Sequence, residues 1–207
     1  VAVYLHVDTS DAQALIEKMK AVHTQKEFEL LMYRAFRRTG AKVKTILATE
    51  IPKSYEVNPS SVRRTVGAPR TTFGGGAAVN CCIPIDGKRH SIGGEFSARG
   101  GARGWNVIKG RRYKITARII RGTTSTLPEE MKNIGDEPPF RNYSAPTLNR
   151  VAFSRKGKGR LPIQKIVGIG IPQMPMNRSK DDVQDEIVTH LMGRIEHEHR
   201  YLINRCR

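Results

Sequence analysis

QKEFELLMYRAFRRTGAKVKTILATE, residues Gln25 to Glu50, is the stretch that decides the fold. Phe28, Leu31, Ala35, Val43 and Ile46 fall mostly at the spacing of one helical face. Arg34, Arg37, Arg38, Lys42 and Lys44 crowd much of the remaining surface. The pattern predicts an amphipathic helix with one face on a core and a basic outer face. Gly40 is the expected point of interruption or kinking. Pro52, which lacks an N–H, is expected to end the helix.

Upstream, the apolar run Val1 to Val7 reads as a strand. It is short and has neither a preceding basic segment nor a small-residue cleavage site, so it does not read as a signal peptide. Asp8, Thr9 and Ser10 offer capping oxygens for a helix that follows. Downstream, Asn58-Pro59 has the form of a cap and a first helical residue, opening a short helix that carries Arg63 and Arg64. From Pro69 the texture turns to β: Thr71 to Phe73, then Ala77 to Ile85, with Asp86-Gly87 as a hairpin signal before Lys88 to Ile92. Trp105 to Arg121 alternates Tyr113, Ile115, Ala117 and Ile119 with Arg112, Lys114, Thr116 and Arg118, the pattern of a half-buried strand with a basic outer face. Val151 to Ser154 is a further strand.

Breaker-rich loops separate these elements: Gly93 to Gly104, Leu127 to Pro146 with four prolines, and the basic run Arg155 to Arg160. Ser179 to Asp182 caps a last helix in which Val183, Ile187, Leu191 and Ile195 recur every four residues, with Leu202 near the end. The expectation is a single α+β domain over residues 1–207, a mostly antiparallel sheet packed against a long N-terminal helix and a C-terminal helix, with long loops. Its parts are helical over 8–66, β-rich over 69–160, and an apolar loop plus helix over 161–207.

Charge is the strongest bulk signal. Thirty-six Lys and Arg against nineteen Asp and Glu give a formal net charge of +17 in 207 residues. A field of that sign favours nucleic acid, acidic membrane or acidic protein surfaces. No stretch approaches the roughly twenty apolar residues that cross a bilayer. Cys81, Cys82 and Cys206 give no disulfide framework, since adjacent cysteines almost never bridge and the number is odd, so a reducing compartment is the simplest setting.

The residues do not assemble into an enzyme. There is no Walker loop, dinucleotide fingerprint, nucleophile elbow or H-E-x-x-H pattern. Gly74 to Gly76 reads as a bend or bulge in a β context. His197 and His199 are two apart on a helix and point to different faces, and His190 is two turns from His197, so solvated or hydrogen-bonded histidines are expected in place of a metal site. Cys81 and Cys82 lie in an apolar strand, so one thiol is expected to face the core and the other the opposite side, and both read as small buried hydrophobes. Glu129, Glu130, Asp136 and Glu137 read as a solvated loop. For nucleic acid, Arg99 to Trp105 resembles an Arg-Gly-Gly stretch and Arg155 to Arg160 has the charge to reach phosphates, but aromatics are sparse and no helix-turn-helix or zinc pattern occurs.

The most distinctive run is Gly159 to Asn177, GRLPIQKIVGIGIPQMPMN. Pro162, Pro172 and Pro175 hold an extended backbone, and Leu161, Ile163, Ile166, Ile169, Ile171, Met174 and Met176 supply apolar side chains that need a cover from the chain itself or a neighbour. The R-L-P-I-x-K-[IL]-x-G-x-x-[IV]-P-Q-M segment, the helix after it that ends basic, and the strand and basic stretch before it (Val151 to Arg160) resemble the prophage minor tail protein Z family of phage tail-completion proteins. The resemblance covers about the last quarter of the chain; the N-terminal helix and basic β segments agree loosely, and Leu127 to Pro146 aligns with nothing in the family.

The resemblance implies a non-enzymatic virion component at the junction of tail tube and head-proximal neck, made in the host cytoplasm. It implies no cofactor and a ring, with a homo-hexamer as the natural expectation. Its partners would be tail-tube, terminator and head-connector proteins, with non-specific contact to packaged DNA and none to membrane. In that setting Leu161, Pro162, Ile163, Ile166, Ile171, Pro172, Gln173, Met174 and Met176 would form the assembly contact. Arg34, Arg37, Arg38, Arg63, Arg64, Arg99, Arg103, Arg112, Lys114, Arg118, Arg155, Lys156, Lys158 and Arg160 would face acidic neighbours or DNA. The alternative is a non-specific nucleic-acid-binding protein.

Overall fold

A capping box starts the long helix. The Thr24 amide and hydroxyl both donate to Glu27 Oε2, at 3.0 and 2.7 Å, and the Glu27 amide returns to Thr24 Oγ1 at 3.5 Å. These bonds from Thr24 hold the Glu27 carboxyl below its ordinary value. Upstream lies helix α1 (Ser10–Val22), and from the box runs α2 (Gln25–Ser54). In this computed structural model the described residues are 2–4, 10–73, 79–93, 96–99, 116–126, 140–141, 151–155 and 161–205.

Two expectations for α2 are corrected. Gly40 neither interrupts nor ends the helix, which passes through it unbroken. It is a point of close approach: a Cβ there would lie 2.6 Å from Cys81 Sγ and 3.0 Å from Pro69 Cβ. Pro52 lies inside the helix, which runs on to Ser54. A proline that late removes one amide bond near a terminus and leaves the rest of the helix intact. The Ser54 carbonyl then accepts the Arg121 amide at 2.9 Å.

Helix α3 (Pro59–Thr65) begins as Asn58-Pro59 predicts, with Asn58 Oδ1 accepting the Ser60 amide at 2.9 Å. Helix α4 (Lys180–Arg205) follows the Ser179 carbonyl, which accepts the Val183 amide, and opens with Asp181 and Asp182, favourable at a helix N-terminus.

The fold is α+β, with four α-helices and short antiparallel strands among the described residues. It clusters into two compact units. Residues 1–51, 62–87 and 172–207 make the first, and residues 52–61 and 88–171 make the second. In the first, α1, α2 and α4 meet in a core of Met19, Phe28, Leu31, Met32, Ala35, Leu191, Ile195 and Leu202. Burying each large side chain of this kind is worth roughly 1.5–3 kcal/mol. Strand β1 (Ala2–Tyr4) pairs with β4 (Pro84–Asp86), and β2 (Arg70–Phe73) forms an antiparallel pair with β3 (Val79–Cys82).

In the second unit β5 (Arg89–Ser91) pairs with β12 (Val167–Gly170), and β6 (Ser97–Arg99), β7 (Thr116–Arg118) and β8 (Ser125–Thr126) form one sheet. Strand β10 (Ala152–Arg155) pairs with β9 (Phe140–Arg141) on one side and β11 (Ile163–Lys165) on the other. Ile92, Ala117, Ala152 and Ile166 pack together at their centre. The burial of Ala117 between half-buried Thr116 and exposed Arg118 follows the predicted alternation, while residues 105–115 of that run lie outside the described residues.

Asp86-Gly87 does not close a hairpin. The strand before it pairs with β1 and the strand after it with β12, in different units. The strands also divide among five small sheets among the described residues. The segment 161–177 is no bare loop either: it contains β11, β12 and a 3-10 turn at Ile171–Gln173.

Candidate functional site

Arg34, Arg37 and Arg38 lie on adjacent turns of α2, with Arg34 and Arg38 at the border of the face that carries Leu31 and Ala35. Against them α4 brings His197, Glu198 and Tyr201, and the two helices enclose a half-open cleft of about 560 Å³. All of its walls belong to the first unit.

Glu198 organises the cleft. Its side chain is 3% exposed, and Oε1 lies 2.9 Å from Arg38 Nη1 while Oε2 lies 3.9 Å from Arg34 Nη1. His197 Nδ1 is 3.7 Å from the same Oε1. A carboxylate this buried is stable only when paired; Arg38 and Arg34 supply ion pairs, while Oε1 has no partner in hydrogen-bond geometry among the described residues. Arg34 is held a second way, with its guanidinium carbon 5.8 Å from the centroid of the Tyr201 ring. Arg37 is exposed and makes no ion pair or hydrogen bond among the described residues. Three guanidinium charges therefore face one carboxylate.

Two of the α4 histidines are engaged with side chains from outside that helix. His190 Nδ1 lies 3.3 Å from Thr39 Oγ1, and burial, then Arg194 and Lys42, push its pKa down. His199 Nδ1 lies 2.7 Å from Nε2 of His23, and burial, then His23 and Arg200, push its pKa down. No group of three or more His, Cys, Asp or Glu able to hold a metal occurs among the described residues. Cys82 is exposed, which corrects its reading as a buried hydrophobe; Cys81 is half-buried beside Thr71, and burial raises its thiol pKa.

The sequence-predicted residues divide sharply. Ile166, Ile171, Pro172 and Met174 are built into the chain's own core, and Ile163 is half-buried. Leu161, 73% exposed, Met176, 47% exposed, Pro162 and Gln173 face outward. Of the described basic residues, Arg34, Arg37 and Arg38 line the cleft. Arg63 and Arg64 are exposed on α3, and Arg118 donates from Nε to Thr124 Oγ1 at 3.2 Å. Arg99 lies in β6 and Arg155 in β10. Arg103, Arg112, Lys114, Lys156, Lys158, Arg160, Gly74 to Gly76 and the acidic residues Glu129, Glu130, Asp136 and Glu137 lie outside the described residues.

Sequence reasoning missed Glu198 and Tyr201. The signal was present: in the α4 stripe Leu191, Ile195, Glu198, Leu202, a carboxylate occupies a core position. A charge on the apolar face of a helix calls for a partner from the helix it packs on. No described helix is long and apolar enough to cross a membrane. Comparisons with protein-family models, curated proteins and solved structures find no match to this chain.

Proposed function

We propose that the chain is a non-enzymatic structural subunit of a tailed-phage virion, acting in tail completion at the tail–neck junction and assembling as a ring. The observation that carries this reading is the run Leu161 to Asn177, whose motif resembles the tail-completion family. Its burial pattern supports a contact role for part of it. Ile166, Ile171 and Met174 hold the segment in its own core, which leaves Leu161 and Met176 as apolar side chains presented outward. Single exposed apolar residues are common on any surface, so their weight comes from lying in this motif. The homo-hexameric ring, the tail-tube, terminator and head-connector partners and the virion location are parts of the same proposal.

The test is a mass measurement on the purified full chain, alone and with tail-tube and head-connector proteins. The proposal expects a ring or a stable complex, lost in a Leu161→Ser, Met176→Ser double variant that still melts like the parent. A strictly monomeric chain that ignores those proteins and binds free DNA tightly would sink it. That outcome is the second reading, a non-specific nucleic-acid-binding protein, which the net charge of +17 favours.

A further inference from the structure

We infer that the cleft between α2 and α4 is a binding site for a phosphate oxyanion, with Arg37 as the free donor and Arg34 and Arg38 as donors already in contact with Glu198. This goes beyond the assembly role proposed above and holds whether or not the chain belongs to a virion.

Three observations meet here. First, the cleft is of ligand size, about 560 Å³, and its charged wall is cationic. Second, Glu198 pins Arg38 through a single 2.9 Å contact at Nη1. A guanidinium carries five N–H donors, so most of the Arg38 fork remains available beside that ion pair. Tyr201 holds Arg34 by lying beneath its guanidinium. Third, Arg37 stands one turn from Arg34 with no acidic partner among the described residues.

The geometry selects phosphate over carboxylate. Glu198 already supplies a carboxylate from inside, shared between Arg38 and Arg34. A tetrahedral phosphate offers oxygens in several directions and carries the larger charge, so it uses three guanidinium groups converging from different points of one helix face. The half-exposed Tyr201 ring at the mouth adds a flat apolar surface beside the anion. Free phosphate compounds and the phosphodiester backbone of nucleic acid share this chemistry.

The test uses the full chain and three probes: pyrophosphate, a short DNA duplex and a poly-glutamate peptide, each titrated while amide and arginine Nε signals are followed by NMR. Pyrophosphate is expected to shift signals of α2 and α4 around Arg34 to Arg38 and Glu198 to Tyr201. Arg37→Ala, which removes an exposed side chain with no described contact, is expected to leave the melting temperature unchanged and weaken pyrophosphate about tenfold, the scale of one charge-assisted bond. If the source is nucleic acid, the duplex moves the same signals, and Arg37→Ala lowers the slope of its log affinity against log salt by about one. If pyrophosphate moves those signals and the duplex does not, the source is a free phosphate compound. Two results overturn the inference. One is poly-glutamate binding through these residues while pyrophosphate does not, which would make the cleft a docking surface for acidic protein. The other is pyrophosphate affinity indifferent to Arg37.

Discussion

Nε2 of His23, at the end of α1, lies 2.7 Å from Nδ1 of His199 on α4, with the two rings edge to face and their centroids 4.9 Å apart. One ring must donate and the other accept, so the contact survives only while at least one of them is neutral. Burial, His23 and Arg200 all push the His199 pKa down, and the Glu27 carboxyl interacts electrostatically with His23. A histidine whose folded pKa is depressed stabilises the fold above its ordinary value of 6.5, and that contribution is lost as pH falls through the folded pKa. His190 acts in the same direction.

The melting temperature is therefore expected to fall between about pH 7.5 and about pH 5.5. His199→Asn should melt lower at neutral pH but lose less on acidification. Thermal unfolding followed by circular dichroism at each pH measures both; a variant that keeps the full acid sensitivity would locate it elsewhere.

Gly40→Ala tests close approach against helix propensity. Alanine is favoured over glycine in a helix by about 1 kcal/mol, which alone predicts stabilisation. The added Cβ would meet Cys81 Sγ at 2.6 Å and Pro69 Cβ at 3.0 Å. Overpacking of that kind costs about 1–3 kcal/mol, so net destabilisation is expected. In a Cys81→Ala background the penalty should shrink, since the nearest clash is gone. Denaturant melts of the four proteins give the coupling directly.

The Arg38–Glu198 pair should respond asymmetrically. Arg38→Ala leaves a carboxylate that is 3% exposed with Arg34, 3.9 Å away, and His197, 3.7 Å away. A loss of about 1–3 kcal/mol is expected, the cost of a buried group left poorly satisfied. Glu198→Gln keeps an oxygen for Arg38 and should cost less. Equal effects in urea unfolding would mean that the pair contributes packing and little charge.

Within the Leu161 to Asn177 run, core and surface positions should separate. Met174→Ala and Ile171→Ala, both at fully buried sites, are each expected to cost about 2–5 kcal/mol. Leu161→Ser, at a site 73% exposed, should stay within about 0.5 kcal/mol. The unfolding midpoints of the three variants decide this.

Local chemistry was legible in the sequence and long-range pairing was not. The apolar spacing of α2 and α4 and the Asn58-Pro59 start all appear as read, because each depends on residues within a few turns. Asp86-Gly87 misled because a turn dipeptide reports local backbone preference, whereas the partner of β4 is Ala2 to Tyr4, some 80 residues away. Gly40 does not interrupt the helix but admits a close neighbour, Cys81, that is remote in sequence. The cleft was half legible. Its arginines stood out as charge, but their convergence depends on Glu198, which only the packing of α4 on α2 gives a meaning.

The order in which the ribosome delivers the chain sets a consequence of the interleaved units. The second unit closes with Ile171, so all of its residues have been made before Leu191, Ile195 and Leu202 of α4 emerge. Helices α1 and α2 are thus made well before the α4 residues that complete their core, and Phe28, Leu31 and Met32 wait for that lid while the second unit is synthesised. A nascent chain in that state offers chaperones a helical apolar face, and a stop before Pro172 would yield a fragment prone to aggregate.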